Sequence, residues 1–551
     1  YNINSMPVME KGEIIGLVNR QVLEKAMFHG LENQTAREFM HSDFATVRPE
    51  STLIEIQTNL VEQNQRILPV VEDGKVIGVI TRRDLLNFLV SDHFNTPQAL
   101  LDDQPLTHWS KRKHLASVLA EQLPRDMVRR LRSFGELAER LNFLAYAVGG
   151  FVRDLMLRRQ NFDIDIVVEG DGIEFAKTYA EENGIKVRCH RKFNTAVLIF
   201  PDGQKVDVAS ARFEYYQYPA ALPIVEFSSL KMDLYRRDFT INTLALALNP
   251  DEFGQLIDFF NGQRDLKERT VRVLHNLSFV EDPTRIMRAI RFEQRFGFRI
   301  AKQTAMLMRN ALRIGLIQKL GGRRFLHEIQ LILMEDDPIP SIKRMDEFGV
   351  LAVLSPSMHF DARMEALFGR LREVISWSKL SFLEEAIDRW WVYLLGLLSG
   401  LSREELRDTF DRLQLIHTQA DRIVWTYERT GELLRTFFQL PEHRPSDIYR
   451  ALQPFSPEEL LFMMGKTQSE EIRRAVSRYF HRYRHVRSEI KGRDLVAMGF
   501  SPGRIFRTIL DEILDARLNG EIKDRNDELE YIRSHYPQYI KNKKTPPAPA
   551  S

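Results

Sequence analysis

Asp163, Asp165 and Asp207 are the residues of this chain whose types and spacing could do chemistry. In Asn161-Phe162-Asp163-Ile164-Asp165-Ile166-Val167-Val168 the alternation predicts a strand. Both aspartates then project from one face, roughly 7 Å apart, while Ile164 and Ile166 enter a core. Gln204-Lys205-Val206-Asp207-Val208-Ala209-Ser210 reads as a second strand, with Val206 and Val208 inward and Asp207 outward. Carboxylates gathered on one face repel each other unless a cation lies between them, and a divalent metal is the natural answer. Three on adjacent strands can hold two Mg2+ ions, one activating a hydroxyl nucleophile and one neutralising a leaving pyrophosphate. Phosphoryl transfer of that kind is mostly positioning and charge stabilisation, so it requires no nucleophilic Ser or Cys.

A lone strand aspartate is ordinarily just solvent-facing; the surrounding residues are what set these apart. Leu144-Ala145-Tyr146-Ala147-Val148 predicts a short buried strand that ends in Gly149-Gly150, and Phe151-Val152-Arg153-Asp154 starts a helix. A strand, paired glycines and a helix start would present bare N–H groups at a positive dipole end, which suits a triphosphate, and Arg153 adds a planar charged donor. Downstream, Arg236 and Arg237 supply charge, and Asp238 and Asn242 read as supporting residues for a polar helix start beside an apolar run. In Asp282-Pro283-Thr284-Arg285-Ile286-Met287-Arg288-Ala289-Ile290-Arg291, residues 282, 285 and 288 are spaced to share a helical face. Asp followed by Pro is also a strong helix-capping signal, and the two roles are compatible. Arg288 and Arg291 extend the positive stripe, although a plain helix-surface role suits Arg291 nearly as well.

The elements that must position these groups are of two kinds. Around the aspartates the pattern alternates strands and helices, preceded by a helix from about Arg125 to Leu141 with Met127, Leu131, Phe134, Leu137, Ala138 and Leu141 on one face. Arg212 to Lys231 has no periodicity and predicts a mobile loop beside the site. Beyond residue 300 the pattern is helical nearly throughout. Phe382 to Leu398, with Trp390 and Trp391, is apolar enough for a core. Between Arg473 and Arg507 ten Lys or Arg face only Glu489 and Asp494, with Tyr479, Phe480 and Tyr483 interleaved. Such a stretch is either a solvated basic face or an RNA-backbone surface. Gly492-Arg493-Asp494 and Gly499 to Arg504 open helices whose free N–H groups could grip a phosphate backbone, though simple capping accounts for them nearly as well.

The chain has 551 residues, 44% hydrophobic and 28% charged, which fits several domains of ordinary globular composition. A formal net charge of +2 argues neither for nor against a nucleic-acid partner. No stretch approaches the roughly 18 apolar residues of a membrane helix, so no membrane partner and a cytoplasmic location are expected. Cys189 is the only cysteine, which excludes an internal disulfide and a cysteine zinc cage.

An internal repeat opens the chain. Met6-Pro7-Val8-Met9-Glu10-Lys11-Gly12-Glu13-Ile14-Ile15-Gly16 returns 62 residues later as Leu68-Pro69-Val70-Val71-Glu72-Asp73-Gly74-Lys75-Val76-Ile77-Gly78. Each copy reads as strand, Gly turn, strand, then a helix from Gln21 or Asp84. Thr35 to Met40 and Leu53 to Gln63 have helical spacing between them. This resembles a CBS-domain pair over residues 1 to 92. The first copy lacks its opening helix and the chain begins at Tyr1, so a fragment of something longer is expected. The resemblance implies an adenine nucleotide as a candidate ligand, with Thr81 and Asp84 as the polar pair; the first copy has Asn19 and Val22 there. It also implies a structural or dimerising role.

Gly149-Gly150-Phe151-Val152-Arg153-Asp154, Asp163-Ile164-Asp165, Asp233-Leu234-Tyr235-Arg236-Arg237-Asp238-Phe239-Thr240-Ile241-Asn242 and Glu281-Asp282-Pro283-Thr284-Arg285 follow in order. They resemble the ordered motifs of class II tRNA nucleotidyltransferases and bacterial poly(A) polymerases. The resemblance implies that Asp163, Asp165 and Asp207 are catalytic and bind Mg2+, and that Gly149, Gly150, Arg153 and Arg237 hold the triphosphate and sugar. It implies that Asp282 and Arg285 act as a protein template for the base, and that an Arg and Glu four apart in Gly321 to Ile329 steady the neck. The implied partners are tRNA and ATP, with CTP also compatible. A loop before the double Arg and an adjoining CBS pair resemble A-adding enzymes, which complete a tRNA ending in CC. CCA addition, poly(A) synthesis and a catalytically silent RNA-binding or adenine-nucleotide-sensing module are the alternatives. The expected architecture is an α/β CBS pair (1–92), a linker (93–124), a small α/β nucleotidyltransferase head with a mixed sheet (125–260), an all-α neck (261–345), an α-helical body and tail (346–540) and a disordered end (541–551).

Overall fold

The structure, a computed structural model, describes residues 5–28, 30–57, 59–60, 65, 67–81, 84, 113–191, 194–215, 224–381, 387–435 and 443–539. The chain divides into two compact units. The first comprises residues 1–328 with 347–353, and the second 329–346 with 354–551.

In the first unit a seven-stranded mixed sheet carries the aspartates. Its strands are β5 (Leu144–Val148), β6 (Ile164–Glu169), β7 (Lys186–His190), β8 (Thr195–Ile199), β9 (Lys205–Ser210), β12 (Leu244–Ala247) and β13 (Leu256–Asp258), in the order β13-β12-β5-β6-β9-β8-β7. β6 and β9 are its one parallel pair, with Asp165 directly beside Asp207. The crossover that parallel pairing requires is the helix Gly172–Asn183, capped by Asp171, followed by the β7–β8 hairpin. Ile164, Ile166, Val206 and Val208 are buried as their alternation predicts. The helix Arg125–Arg140 packs Met127, Leu131, Phe134, Leu137 and Ala138 inward. Within the segment expected to be a mobile loop, Arg212–Tyr215 (β10) pairs antiparallel with Ile224–Phe227 (β11), while 216–223 lie outside the described residues.

The repeat appears as two antiparallel hairpins, β1–β2 (Ser5–Glu10, Glu13–Asn19) and β3–β4 (Ile67–Glu72, Lys75–Thr81). Each shifts register at the same relative point, Val8/Met9 and Val70/Val71. Arg20–Phe28 forms α1, Ala36–Phe39 forms α2, and Leu53–Gln57 starts the expected second connecting helix. Beyond Asp84, the helix of the second copy and most of the 93–124 linker lie outside the described residues, as does the tail 541–551. The linker's last part forms a helix, Ala116–Gln122.

The neck portion of this unit comprises Ser278–Glu281 (α3), Thr284–Phe296 (α4), Lys302–Arg313 (α5) and the start of Gly322–Leu333 (α6). The second unit is helical. Val392 to Leu398 are buried, so the apolar stretch there is core, while Trp390 and Trp391 are half-buried with rings 5.3 Å apart. Tyr479, Phe480 and Tyr483 are buried too, at 8%, 1% and 5% exposure. They pack the interior, and the Phe480 ring also takes Arg484 at 5.6 Å. Among the described residues no helix is long and apolar enough to cross a membrane.

Candidate active site

The parallel pairing of β6 with β9 puts Asp165 and Asp207 at one level on one face, with Asp163 one residue before the strand. Burial pushes the Asp165 carboxyl up to about 6; Arg237 pulls it down, and Asp163, Asp207 and Asp233 push it further up. Burial likewise raises Asp207, and Asp163 adds to the shift. Among the described residues no group of three His, Cys, Asp or Glu side chains forms a ready metal cage, so the aspartates make an open, mutually repelling edge. All-oxygen donors under electrostatic tension fit a hard divalent cation, whose charge would relieve that tension.

Above this edge lies a cleft of about 900 Å³. Gly149, Gly150, Arg153, Asp163, Asp165, Arg237, Asp282, Arg285, Arg288 and Arg291 all line it, whereas Asp207 does not. Gly149 has φ +71°, and a Cβ there would stand 2.6 Å from Arg237 Nη1 and 3.7 Å from Asp165 Oδ2. The glycine is therefore what lets Arg237 approach Asp165. One expected phosphate donor is engaged otherwise: the Gly149 N–H donates to the Leu244 carbonyl at 3.2 Å.

The opposite wall is a lattice of guanidiniums and carboxylates. Asp233, fully buried, accepts from Arg236 (2.6 Å) and Arg237 (3.1 Å). Burial alone would raise its carboxyl, but the two arginines hold it below the usual range. Asp238 accepts from the Phe239 N–H and Asn242 Nδ2, each at 2.8 Å, on one oxygen, and from Arg288 Nε at 2.9 Å on the other. Burial opposes ionisation there as well, yet Arg288 and Asn242 bring it to about 2. Arg288 and Arg291 share Glu328, at 3.6 and 3.4 Å. Arg153 is bidentate to Asp154 (2.8 and 2.9 Å) and donates to Asn242 Oδ1 at 2.7 Å. Arg237 Nε is buried without a hydrogen-bond partner, a deficit of about 1–3 kcal/mol.

This arrangement has relatives. Residues 145–272 match the poly A polymerase head domain, 36–91 the CBS domain, and 297–361 the probable RNA and SrmB-binding site of polymerase A. The chain is 45% identical to an A-adding tRNA nucleotidyltransferase of Geobacter sulfurreducens, over 96% of this chain and 61% of that one. It is 33% identical to an A-adding tRNA nucleotidyltransferase of Aquifex aeolicus, over 88% of this chain and 56% of that one. It therefore spans about three fifths of the length of these relatives. The solved Thermotoga maritima CCA-adding enzyme complexed with tRNA is 35% identical, with a TM-score of 0.60 over 77% of this chain and 98% of that one. The chain belongs to the class II tRNA nucleotidyltransferase and bacterial poly(A) polymerase family.

Asp282 and Arg285, expected to read the base, depart from the expected spacing in one respect. Asp282 does not lie on the helix with Arg285; it is extended backbone between α3 and α4, with φ −140° and ψ 96°. Its Oδ1 accepts from the Thr284 N–H (3.0 Å) and hydroxyl (2.6 Å) and from Arg324 Nη2 (2.8 Å), so it does help to start α4. The Asp-Pro step forces this, because the residue before proline is driven out of the helical region. Arg285 donates to Ser278 Oγ at 2.6 Å and the Arg236 carbonyl at 2.7 Å. Arg324 and Glu328, expected to steady the neck as a pair, each bond elsewhere, to Asp282 and to Arg288 and Arg291.

Sequence reasoning assigned no role to Asp233, Ser278, Phe292 or Phe296. Asp233 needed its partners' positions to stand out. The aromatic pair had a signal, a four-residue spacing on an Arg-rich helix. The Phe292 ring takes Arg153, Arg288 and Arg291 at 5.3, 5.6 and 5.1 Å, and Phe296 takes Arg153 at 4.6 Å. The rings separate guanidiniums that would otherwise repel. In the repeat, the Thr81 hydroxyl donates to Asp84 Oδ2 at 2.7 Å, closing the polar pair on itself.

Proposed function

We propose that this chain is an A-adding tRNA nucleotidyltransferase, transferring AMP from ATP to the 3′ end of a tRNA that ends in CC, without a nucleic-acid template. The observation that carries the reading is one cleft with a cation-seeking carboxylate edge on one side and a phosphate-seeking Arg237 on the other. Asp163, Asp165 and Asp207 would hold Mg2+, which when bound neutralises triphosphate charge and makes the terminal hydroxyl more acidic. Arg237, which lines the cleft, holds the triphosphate in line. The hydroxyl oxygen bonds to the α-phosphorus as the α–β phosphoanhydride breaks, pyrophosphate departs, and the hydroxyl proton passes to solvent.

Asp282 accepts from the exocyclic amine of adenine. Arg285 donates to the adjoining ring acceptor after exchanging its bond to Ser278. Guanine and uracil present the opposite polarity and leave both groups unpaired. ATP and CTP share this pattern, so support for adenosine comes from the two A-adding relatives, which align over 96% and 88% of the chain. Likeness to the Thermotoga CCA-adding enzyme favours the second reading, addition of all three nucleotides.

Purified protein is given tRNA lacking the CCA end, ending in CC, or complete, with single nucleotides. ATP incorporated only onto the CC-ended substrate is the expected result. CTP incorporated onto the shortest substrate would refute A-only addition, and long adenosine runs on unrelated RNA would favour a poly(A) polymerase. Loss of all incorporation with RNA binding retained would leave the silent module.

A further inference from the structure

The repeat region docks on the neck by two kinds of contact. The segment Glu38–Asp43 is read through its backbone. Gln303, 5% exposed, donates to the Met40 carbonyl at 2.9 Å and accepts from the Ser42 N–H at 2.9 Å. Asn276 donates to the Phe39 carbonyl at 2.6 Å and Asn310 to that of Glu38 at 3.2 Å. Arg313 pairs with the buried Glu38 carboxylate, and Arg272 reaches Asp43 at 3.4 Å. Primary amides that satisfy both backbone polarities fix register as well as contact.

The second contact reaches the site. Lys25, in α1, donates to Glu281 Oε1 at 2.8 Å, and His275 Nε2 lies 3.2 Å from the other oxygen. Glu281 is the residue before Asp282 and ends α3, the helix whose Ser278 anchors Arg285. Lys25 also sits 6.0 Å from the centre of the Tyr235 ring, next to Arg236, whose carbonyl is the other anchor of Arg285. One ammonium therefore touches residues beside both supports of Arg285 and the residue that presents Asp282.

We propose that Lys25 is a positioning residue for base selection: through Glu281 the first repeat holds the Ser278–Asp282 turn, and with it the Asp282 and Arg285 pair. The proposal rests on the function inferred above for how it affects nucleotide choice, but not for the physical coupling itself. Lys25 is 40% exposed at the side chain, so its truncation should leave the fold intact.

The test is made on the full chain as Lys25→Ala, Lys25→Arg, Gln303→Leu, and Arg20→Ala as a distant control in the same helix. Amide hydrogen exchange over residues 277–286 is expected to speed up in Lys25→Ala and Gln303→Leu, return to the parental rate in Lys25→Arg, and stay unchanged in Arg20→Ala. The ratio of kcat/KM for ATP to that for CTP is expected to fall about fivefold in Lys25→Ala, the low end of ordinary coupling between sites. Exchange over 277–286 that is the same in Lys25→Ala as in the parent overturns the proposal, whatever the enzyme's activity. Faster exchange with unchanged nucleotide preference overturns the role in selection. A parent that incorporates no nucleotide defeats the functional reading, while the exchange result still decides the coupling.

Discussion

The two walls of the cleft are built on opposite electrostatic plans. On the sheet edge, Asp163, Asp165 and Asp207 stand without a cage of their own, and burial plus mutual repulsion raises Asp165 and Asp207. On the facing wall, Asp233, Asp238 and Glu328 each have arginine partners, and Asp233 and Asp238 lie below the usual carboxylate range. Like charges that folding leaves unrelieved mark the place a ligand must complete, whereas carboxylates paired with arginines keep the wall's shape before any ligand arrives.

The sharpest way to break this contrast is Asp163→Ala. Removing one carboxylate from the open edge is expected to lower nucleotide incorporation by about a thousandfold, some 4 kcal/mol, through the lost metal site. Calorimetry should find the melting temperature unmoved. A comparable drop in stability would place Asp163 in the structural wall instead.

The facing wall should behave the other way. Asp238→Ala strands Arg288 and is expected to destabilise the unit by about 3–5 kcal/mol in denaturant titration. Because its folded pKa of about 2 lies below the unfolded value, Asp238 contributes fully above about pH 4 and loses that contribution as pH falls through about 2. The parent should therefore lose more stability than Asp238→Asn over that interval. Equal losses would show that another group governs acid unfolding.

Gly149→Ala probes the seam between the walls. Left-handed φ and the 2.6 Å approach of Arg237 both oppose a methyl group, and a loss of about 1–3 kcal/mol is expected, with KM for ATP rising as Arg237 is displaced. Full retention of KM would separate Arg237 from the triphosphate. The smallest effect belongs to the exposed pair Arg474 and Glu470 in the second unit, where Arg474→Ala should change stability by less than about 1 kcal/mol.

Much of the site was legible in the chain because strand alternation converts directly into facing. Ile164 and Ile166 go inward, so Asp163 and Asp165 do not, and Val206 and Val208 impose the same on Asp207. The glycines before a helix start were legible as a turn. Pairings between distant segments were less so. The fate of Arg285 depends on Ser278 and the Arg236 carbonyl, and the environment of Asp282 depends on Arg324, 42 residues away. The burial of Tyr479, Phe480 and Tyr483 was not legible, because interleaving along the chain says nothing of which side of a helix is buried.

Local pattern was enough to decide the alternating head, the helical remainder, the doubled hairpin and the identity of the carboxylates, since each follows from side-chain periodicity within a few residues. Only the folded chain decided that Asp165 lies directly beside Asp207, that Arg237 fills the space Gly149 leaves, and that Lys25 reaches Glu281 across 256 positions. Those are questions of which surfaces meet, and they are answered by the joint packing of segments whose separation along the chain carries no local signal.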